Sequence, residues 1–220
     1  TGKDSGGAKV DLFQLYNTGD TATPMSPMTS IVNDFEAYAD GDAAITAGWY
    51  NFNGADQGAC GGAGFGIQSV TTGDGVAFPG QFGDNKVLSV GWDNTGGTGC
   101  YSGVGFNFAA DGKPNWSSYD GIRFWFRGSG NGGSLTLEIQ SEGNAAYSAA
   151  FSDDTNGWTL VEIPFSTITN GYTYPGAPGS TIDYTAVKGF LFSNLTGKDS
   201  GGAKVDLFQL YNTGDTATPM

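Results

Sequence analysis

Short segments in which apolar and polar residues alternate strictly are the feature that most limits the fold of this chain. Gly121–Arg127 (GIRFWFR) and Ser134–Gln140 (SLTLEIQ) show the pattern most clearly. A period of two sends neighbouring side chains to opposite faces of a β-strand, so each segment has one apolar face and one polar or aromatic face. Strands of this kind bury one face against a second sheet. The residues predicted to face the core are Ile122, Phe124, Phe126, Leu135, Leu137 and Ile139.

Further candidate strands follow one another along the chain, separated by turns, and no helix-length window has a period of 3.6. The 38 glycines, together with many Asn, Asp, Ser and Thr residues, supply the turns. We therefore predict an all-β fold, a two-sheet β-sandwich of jelly-roll type. Besides the two segments above, the candidate strands are Lys86–Trp92, Gly103–Phe108, Ala145–Phe151, Thr159–Pro164, Val187–Phe192 and Ala203–Tyr211.

The first 25 residues, TGKDSGGAKVDLFQLYNTGDTATPM, are repeated without change at 196–220. We interpret the chain as one period of a tandem array of near-identical modules, carrying the tail of the preceding module at its front. A cloning duplication is the alternative. The predicted organisation is 1–16, the last strand of a preceding identical module or a donated strand; 17–30, a Thr/Pro-rich linker; 31–211, the jelly-roll module; and 212–220, the start of the next linker.

The charge of the chain excludes two classes of partner. With 22 acidic against 9 basic residues, the formal net charge is −13. Nucleic acid and anionic membrane surfaces both require a basic footprint, so neither is expected as a partner. No apolar run is long enough to span a bilayer.

The two cysteines, Cys60 and Cys100, both lie in Gly-rich turn sequence. Without any histidine or a CxxC pair, they do not indicate a zinc site. We expect a disulfide between them, and hence a secreted, extracellular protein. Two free buried thiols are the alternative.

Four segments in order resemble the family 11 carbohydrate-binding modules of bacterial glycan-degrading enzymes. They are VNDFEAYAD at Val32–Asp40, NWSSYDGIRFWFRGSG at Asn115–Gly130, GWTLVEIPFSTIT at Gly157–Thr169 and GGAKVDLFQLY at Gly201–Tyr211. The resemblance implies a β-jelly roll without catalytic activity, a groove that binds soluble glucan chains, and structural calcium.

Binding a sugar chain requires flat aromatic faces for the pyranose C–H groups and polar side chains for the hydroxyls. Both kinds occur on the polar faces of the two strands named first, which we expect to form one surface. The alternative is that the arginines only pair with nearby acids on a solvated sheet. The candidate residues are Arg123, Trp125 and Arg127 on one strand, with Thr136, Glu138 and Gln140 on the next.

Aromatic residues of the loops complete the predicted groove. They are Trp49, Tyr50, Tyr101, Tyr172 and Tyr174. By position, Tyr101 and Tyr174 resemble most closely the family's tyrosines that stack on sugar rings; partial burial at the edge of the sandwich is the alternative for each. The sequence departs from the family at Gly171, Thr173 and Leu191, where the family has an Arg, an Asp and a His. These departures leave β-glucan specificity open.

For calcium, the resemblance points to Glu36 and Asp206, on the first and last strands of the module. Calcium requires six to eight oxygen ligands, so Asp34, the Asp40–Asp42 loop or backbone carbonyls would have to complete the site. An ordinary pair of acids on an edge strand is the alternative.

An enzyme is the least favoured function class, because a glycosidase would need two carboxylates at a defined separation and a Ser/His mechanism would need a histidine. We expect a non-catalytic polysaccharide-binding module. The rival prediction is a structural repeat of an extracellular adhesin or fibre, in which identical neighbours exchange the duplicated strand.

Overall fold

The computed structural model describes residues 31–35, 38, 48–54, 57–58, 62–70, 85–95, 97–98, 100–130, 132–141, 145–168, 170–173, 182–194 and 200–217. Within these residues the secondary structure is β-strand, apart from one 3-10 turn at Phe165–Thr167. None of the described segments is a helix long and apolar enough to cross a membrane. The strands are β1 Ile31–Asn33, β2 Trp49–Gly54, β3 Gln57–Gly58, β4 Gly62–Val70, β5 Asn85–Asp93, β6 Gly97–Thr98, β7 Tyr101–Asn107, β8 Gly121–Arg127, β9 Ser134–Gln140, β10 Ala145–Ser152, β11 Thr159–Pro164, β12 Asn170–Thr173, β13 Gly189–Asn194 and β14 Ser200–Tyr211.

Two antiparallel sheets form the sandwich. Sheet I has the order β11-β8-β14-β5-β4, and β1 also pairs with β14. Sheet II has the order β12-β10-β9-β13-β7-β2, while β3 and β6 form a separate two-stranded ribbon. The predicted all-β sandwich of jelly-roll type is therefore confirmed, and each of the eight predicted strands corresponds to an observed one.

The core lies between the sheets and is mainly aromatic. Phe208 of sheet I stacks on Phe190 of sheet II with ring centroids 4.2 Å apart, and Phe124 meets Phe192 edge-on at 5.2 Å. Such contacts add to the free energy gained by burying the apolar area. The six residues predicted to face the core are all buried, with 0–7% of their surface exposed.

A β-bulge interrupts the alternation of β14. Leu207 adopts a positive φ of 44°, and the register with β8 shifts between Asp206 and Gln209. An extra residue in one strand reverses which side chains face inward, so Val205 before the bulge and Phe208 after it both reach the core. β1 pairs with β14 just beyond the bulge, through Phe208 and Gln209, whereas β5 pairs with the residues before it.

The structure corrects the prediction that the polar faces of β8 and β9 form one surface. β8 belongs to sheet I and β9 to sheet II, although they follow each other in the chain. Both strands turn their apolar residues toward the shared core, so their polar faces point to opposite sides of the sandwich. Arg123, Trp125 and Arg127 thus lie on the outer face of sheet I, whereas Thr136, Glu138 and Gln140 lie on that of sheet II.

Candidate functional site

The outer face of sheet II brings several of the predicted residues into one row. Strand register aligns Tyr50 of β2 with Gly105, Leu191, Glu138 and Ser148 of the strands that follow across the sheet. Gln140 lies two residues along β9 from Glu138, on the same face. We call this outer face the sheet II surface.

An aromatic line follows one edge of the sheet II surface. Tyr50 and Phe52 have ring centroids 6.4 Å apart, and Tyr101 continues the line 6.5 Å beyond Phe52. The Tyr101 side chain is exposed, at 41%, whereas Tyr50 and Phe52 are half-buried. Flat rings of this kind match the apolar C–H faces of pyranose rings.

Two glycines of β7 make room for these rings. A Cβ placed on Gly105 would collide with the Tyr50 ring, and one placed on Gly103 would collide with the Phe52 ring. The close approach of a ring explains the glycines in the middle of a strand, where they otherwise destabilise it. Gly103 and Gly105 therefore leave the space above β7 that the Phe52 and Tyr50 rings occupy.

Polar groups lie next to the aromatic line. The Tyr50 hydroxyl has a side-chain hydrogen bond with Gln140. The pKa of Tyr50 is raised, mainly by burial and to a smaller extent by the negative charge of Glu138. The hydrogen bond with Gln140 acts in the opposite direction and lowers this pKa. Glu138 is only 1% exposed, and its Oε1 accepts a hydrogen bond from the Ser193 hydroxyl at 3.1 Å. The surface thus combines a ring, an amide and a buried carboxylate in one connected group.

The remaining predicted aromatic residues are placed differently. Trp49 is a core residue, 6% exposed, packed against Phe106 and Phe190, and its Nε1 donates to Tyr38 Oη at 3.3 Å. The prediction that Trp49 contacts sugar is therefore not supported by its position. By backbone register Tyr172 lies in the same row as Gln140, while Tyr174 lies outside the described residues.

Arg123 is on the other side of the sandwich and is buried, at 1% exposed. Its Nε donates to Gln209 at 3.2 Å, and its two terminal nitrogens donate to the backbone carbonyls of Asp215 at 3.3 Å and Thr216 at 3.0 Å. The guanidinium also lies 5.5 Å from the centroid of the Tyr211 ring. These contacts make Arg123 an anchor for the segment after β14 rather than a sugar ligand.

The other two predicted residues of β8 also lie on the outer face of sheet I. Arg127 lines a shallow groove of about 310 Å³ with Ser89, Gly202 and Lys204. Its Nε donates to the carbonyl of Asn156 at 3.0 Å. Trp125 is half-buried on the same face, opposite Asp206 of β14. Neither residue shares a surface with Gln140.

The residues predicted to bind calcium are only partly described. Asp206 is fully buried at the bulge of β14, next to the place where β1 begins to pair, and its Oδ1 accepts the Leu207 N–H at 2.7 Å. A buried carboxylate is stabilised by a cation, so the chemistry of Asp206 fits calcium. Glu36 lies outside the described residues. Within the described part of the chain no cluster of three or more His, Cys, Asp or Glu residues is present.

The predicted disulfide falls partly outside the described residues as well. Cys100 is buried, 3% exposed, immediately before β7, and Cys60 lies outside the description.

Sequence reasoning missed Phe52 and Ser193. The signal for Phe52 is the segment Trp49–Gly54 (WYNFNG), in which two aromatic residues, Tyr50 and Phe52, alternate with asparagines. In the sheet these two aromatic residues lie opposite the glycines of Tyr101–Asn107 (YSGVGFN). Ser193 directly follows the predicted strand Val187–Phe192. Its hydrogen bond with Glu138 depends on β13 and β9 being neighbours, which no local pattern indicates.

Comparison with solved structures identifies this arrangement of sheets. A family 11 carbohydrate-binding module from Clostridium thermocellum, in complex with a β-1,3-1,4-mixed-linked tetrasaccharide, matches with a TM-score of 0.58 and 19% identity, over 83% of this chain and 95% of that one. A family 11 module of a cellulosomal cellulase from the same organism matches with 0.56 and 18%, over 83% and 94%. An exo-β-agarase matches with 0.55 and 10%, over 84% of this chain and 25% of the agarase. At these identities the likeness is one of fold.

No curated protein matches the chain significantly. The family model for the carbohydrate binding domain of family 11, however, matches residues 19–213, which is most of the chain. The chain belongs to family 11 of the carbohydrate-binding domains and is a non-catalytic carbohydrate-binding module.

Proposed function

We propose that this module binds a β-glucan-like polysaccharide on the sheet II surface. The observation that carries the proposal is the line of Tyr50, Phe52 and Tyr101 next to Gln140. Rings of the sugar chain would lie on the aromatic side chains, while the Gln140 amide and the Tyr50 hydroxyl would bind hydroxyl groups. The similar Clostridium thermocellum module in complex with a mixed-linked tetrasaccharide supports this class of ligand.

The burial of Glu138 defines its part in this proposal. At 1% exposed, its carboxylate is positioned to hold the Ser193 hydroxyl and to act on Tyr50 rather than to contact sugar. Leu191 lies between Glu138 and Gly105 in the row and is also buried, so it packs beneath the surface rather than contacting sugar. Specificity would therefore depend on Gln140, Tyr50 and the aromatic line.

Affinity gel electrophoresis against laminarin, mixed-linkage glucan, xylan and agarose tests the proposal. Retardation by a β-glucan is expected, and Tyr101→Ala should reduce it because Tyr101 is the exposed end of the aromatic line. Arg127→Ala, on the opposite face of the sandwich, is the matched control and should be retarded like the wild type. A folded wild-type protein that no polysaccharide retards, with calcium present, would refute the proposal.

We also propose a structural calcium ion at Asp206. The full burial of this carboxylate at the β14 bulge supports it, and Glu36 is the second expected ligand. The ion would join the β1 region to β14 and would have no part in sugar chemistry.

A disulfide between Cys60 and Cys100 and secretion from the cell belong to the same proposal. The burial of Cys100 directly before β7 supports a structural role for this residue. Ellman titration of the denatured, unreduced protein should find no free thiol; two thiols per chain would contradict the disulfide.

We propose that the duplicated segment reflects a tandem array of modules. A structural repeat of an extracellular fibre is the second candidate function of such an array. Because β14 lies in the centre of sheet I, a donated copy of this strand would join two modules firmly, as a fibre-type repeat requires. Chains of residues 31–220 and 1–195 should then assemble differently. Identical monomers of both would contradict donation between molecules.

A further inference from the structure

The place of β14 in sheet I is the feature from which this inference begins. β14 hydrogen-bonds to β8 along one side and to β5 and then β1 along the other. It is buried without interruption from Val205 to Tyr211, and Phe208 is 0% exposed. Without this strand, β8 and β11 would be separated from β5 and β4. We call the position that β14 occupies the β14 slot.

The chain contains a second segment that matches the β14 slot in every side chain. Residues 5–16 have the same sequence as 200–211, so Phe13 corresponds to Phe208 and Tyr16 to Tyr211. The segment Asn212–Ala217, which Arg123 holds through the carbonyls of Asp215 and Thr216, is likewise repeated at 17–22. Any contact made by the C-terminal copy is therefore chemically possible for the N-terminal one.

The register of β1 indicates how the N-terminal copy could reach the same slot. β1 runs antiparallel to β14 with Ile31 opposite Gln209, which corresponds to Gln14. If residues 5–16 filled the slot, β1 would be their direct hairpin partner, and residues 17–30 would form the connecting loop. A loop of that length reaches up to about 45 Å, whereas Tyr16 and Ile31 would be separated by only two residues along the ladder, roughly 10 Å.

The C-terminal copy has a shorter connection to the slot than the N-terminal copy. It is joined to β13 through residues 195–199. Because the entropic cost of closing a loop grows only slowly with its length, neither connection strongly favours its copy. Identical contacts and similar closure leave the two copies in competition.

We infer that the β14 slot is filled from either end of the same chain. The described sandwich has one such slot, and residues 5–16 and 200–211 have the side chains that fit it, so either segment can complete sheet I within one molecule. This inference concerns sheet I and does not depend on sugar binding at the sheet II surface.

Asp substitutions at the two equivalent phenylalanines test the inference in the full chain. Phe208→Asp places a charge at a fully buried position and disables the C-terminal copy. Phe13→Asp disables the N-terminal copy in the same way, and the double variant disables both. If either copy fills the slot, both single variants should unfold cooperatively on heating and remain monomeric by light scattering, whereas the double variant should show no cooperative transition.

Two results would overturn the inference. In the first, one single variant is as unfolded as the double variant while the other single variant is unaffected. Only one copy would then fill the slot. The other result is a Phe208→Asp protein that folds only as a dimer or larger assembly, because the rescue would then come from another chain. Binding of the wild type to β-glucan is measured in a separate experiment. Absence of binding would refute the proposed function but would not affect the test of the β14 slot.

Discussion

The Tyr50 ring lies over Gly105 of the neighbouring strand, so closely that a single added Cβ would collide with it. We predict that Gly105→Ala displaces this ring from the sheet II surface and weakens β-glucan binding roughly tenfold, equivalent to about 1.4 kcal/mol. Isothermal titration calorimetry with the best ligand from the affinity gels measures the loss. Gly91→Ala is the matched control, because among the described residues its Cβ would approach nothing nearer than the Gly201 carbonyl oxygen, at 3.9 Å. Equal affinity of the wild type and Gly105→Ala would show that the position of Tyr50 is irrelevant to binding.

The sequence predicts the sandwich well because its main signal is local. Alternation identifies the core faces of β8 and β9 from adjacent residues alone, and residues such as Phe124 and Leu137 are buried as expected. The sheet to which each strand belongs depends instead on pairings between distant segments, such as β8 with β14. For that reason Arg123 and Glu138, neighbours in the predicted groove, lie on opposite outer faces.

Arg123 further shows why residue type alone predicts a site poorly. Guanidinium groups are as suitable for backbone carbonyls as for sugar hydroxyls. Only the tertiary structure places the carbonyls of Asp215 and Thr216 within reach of this side chain. Similarly, the bulge at Leu207 reverses the pattern of β14 and could not be read from alternation.

The Arg123 contacts predict a loss of stability without a loss of binding. Arg123→Ala removes the charged donor to the Gln209 side chain and to the backbone carbonyls of Asp215 and Thr216, together with the packing of a buried side chain, so we expect the free energy of unfolding to fall by about 2–4 kcal/mol. The ion pair with Glu162 contributes little to this value, because that carboxylate is 46% exposed and 3.6 Å away. Urea denaturation measures the change, and β-glucan affinity should be unaltered. Glu162→Gln is the control and should lie within about 0.5 kcal/mol of the wild type.

Calcium is expected to stabilise the fold rather than to bind sugar. Chelation with EDTA should lower the Tm of the wild type by several degrees, because a ligand that binds only the folded state stabilises it in proportion to its occupancy. Asp206→Asn removes the proposed carboxylate ligand, so EDTA should leave the Tm of this variant unchanged. A wild-type Tm that is the same with EDTA and with added calcium would exclude the ion.

The contact between Asp120 and Thr213 predicts how acid affects the segment after β14. The Thr213 N–H donates to Asp120 Oδ2 at 2.8 Å, and the backbone and side-chain hydrogen bonds of Thr213 lower the pKa of Asp120 from 3.8. A carboxylate whose pKa is lowered by folding contributes its stabilisation at pH values above 3.8, and that contribution is lost as the pH falls through the lower, folded-state pKa. The Thr213 amide resonance should therefore shift with a midpoint below 3.8 in an NMR titration. In Asp120→Asn the acceptor oxygen is kept but does not titrate, so this shift should disappear; a shift that persists in the variant would assign it to another group.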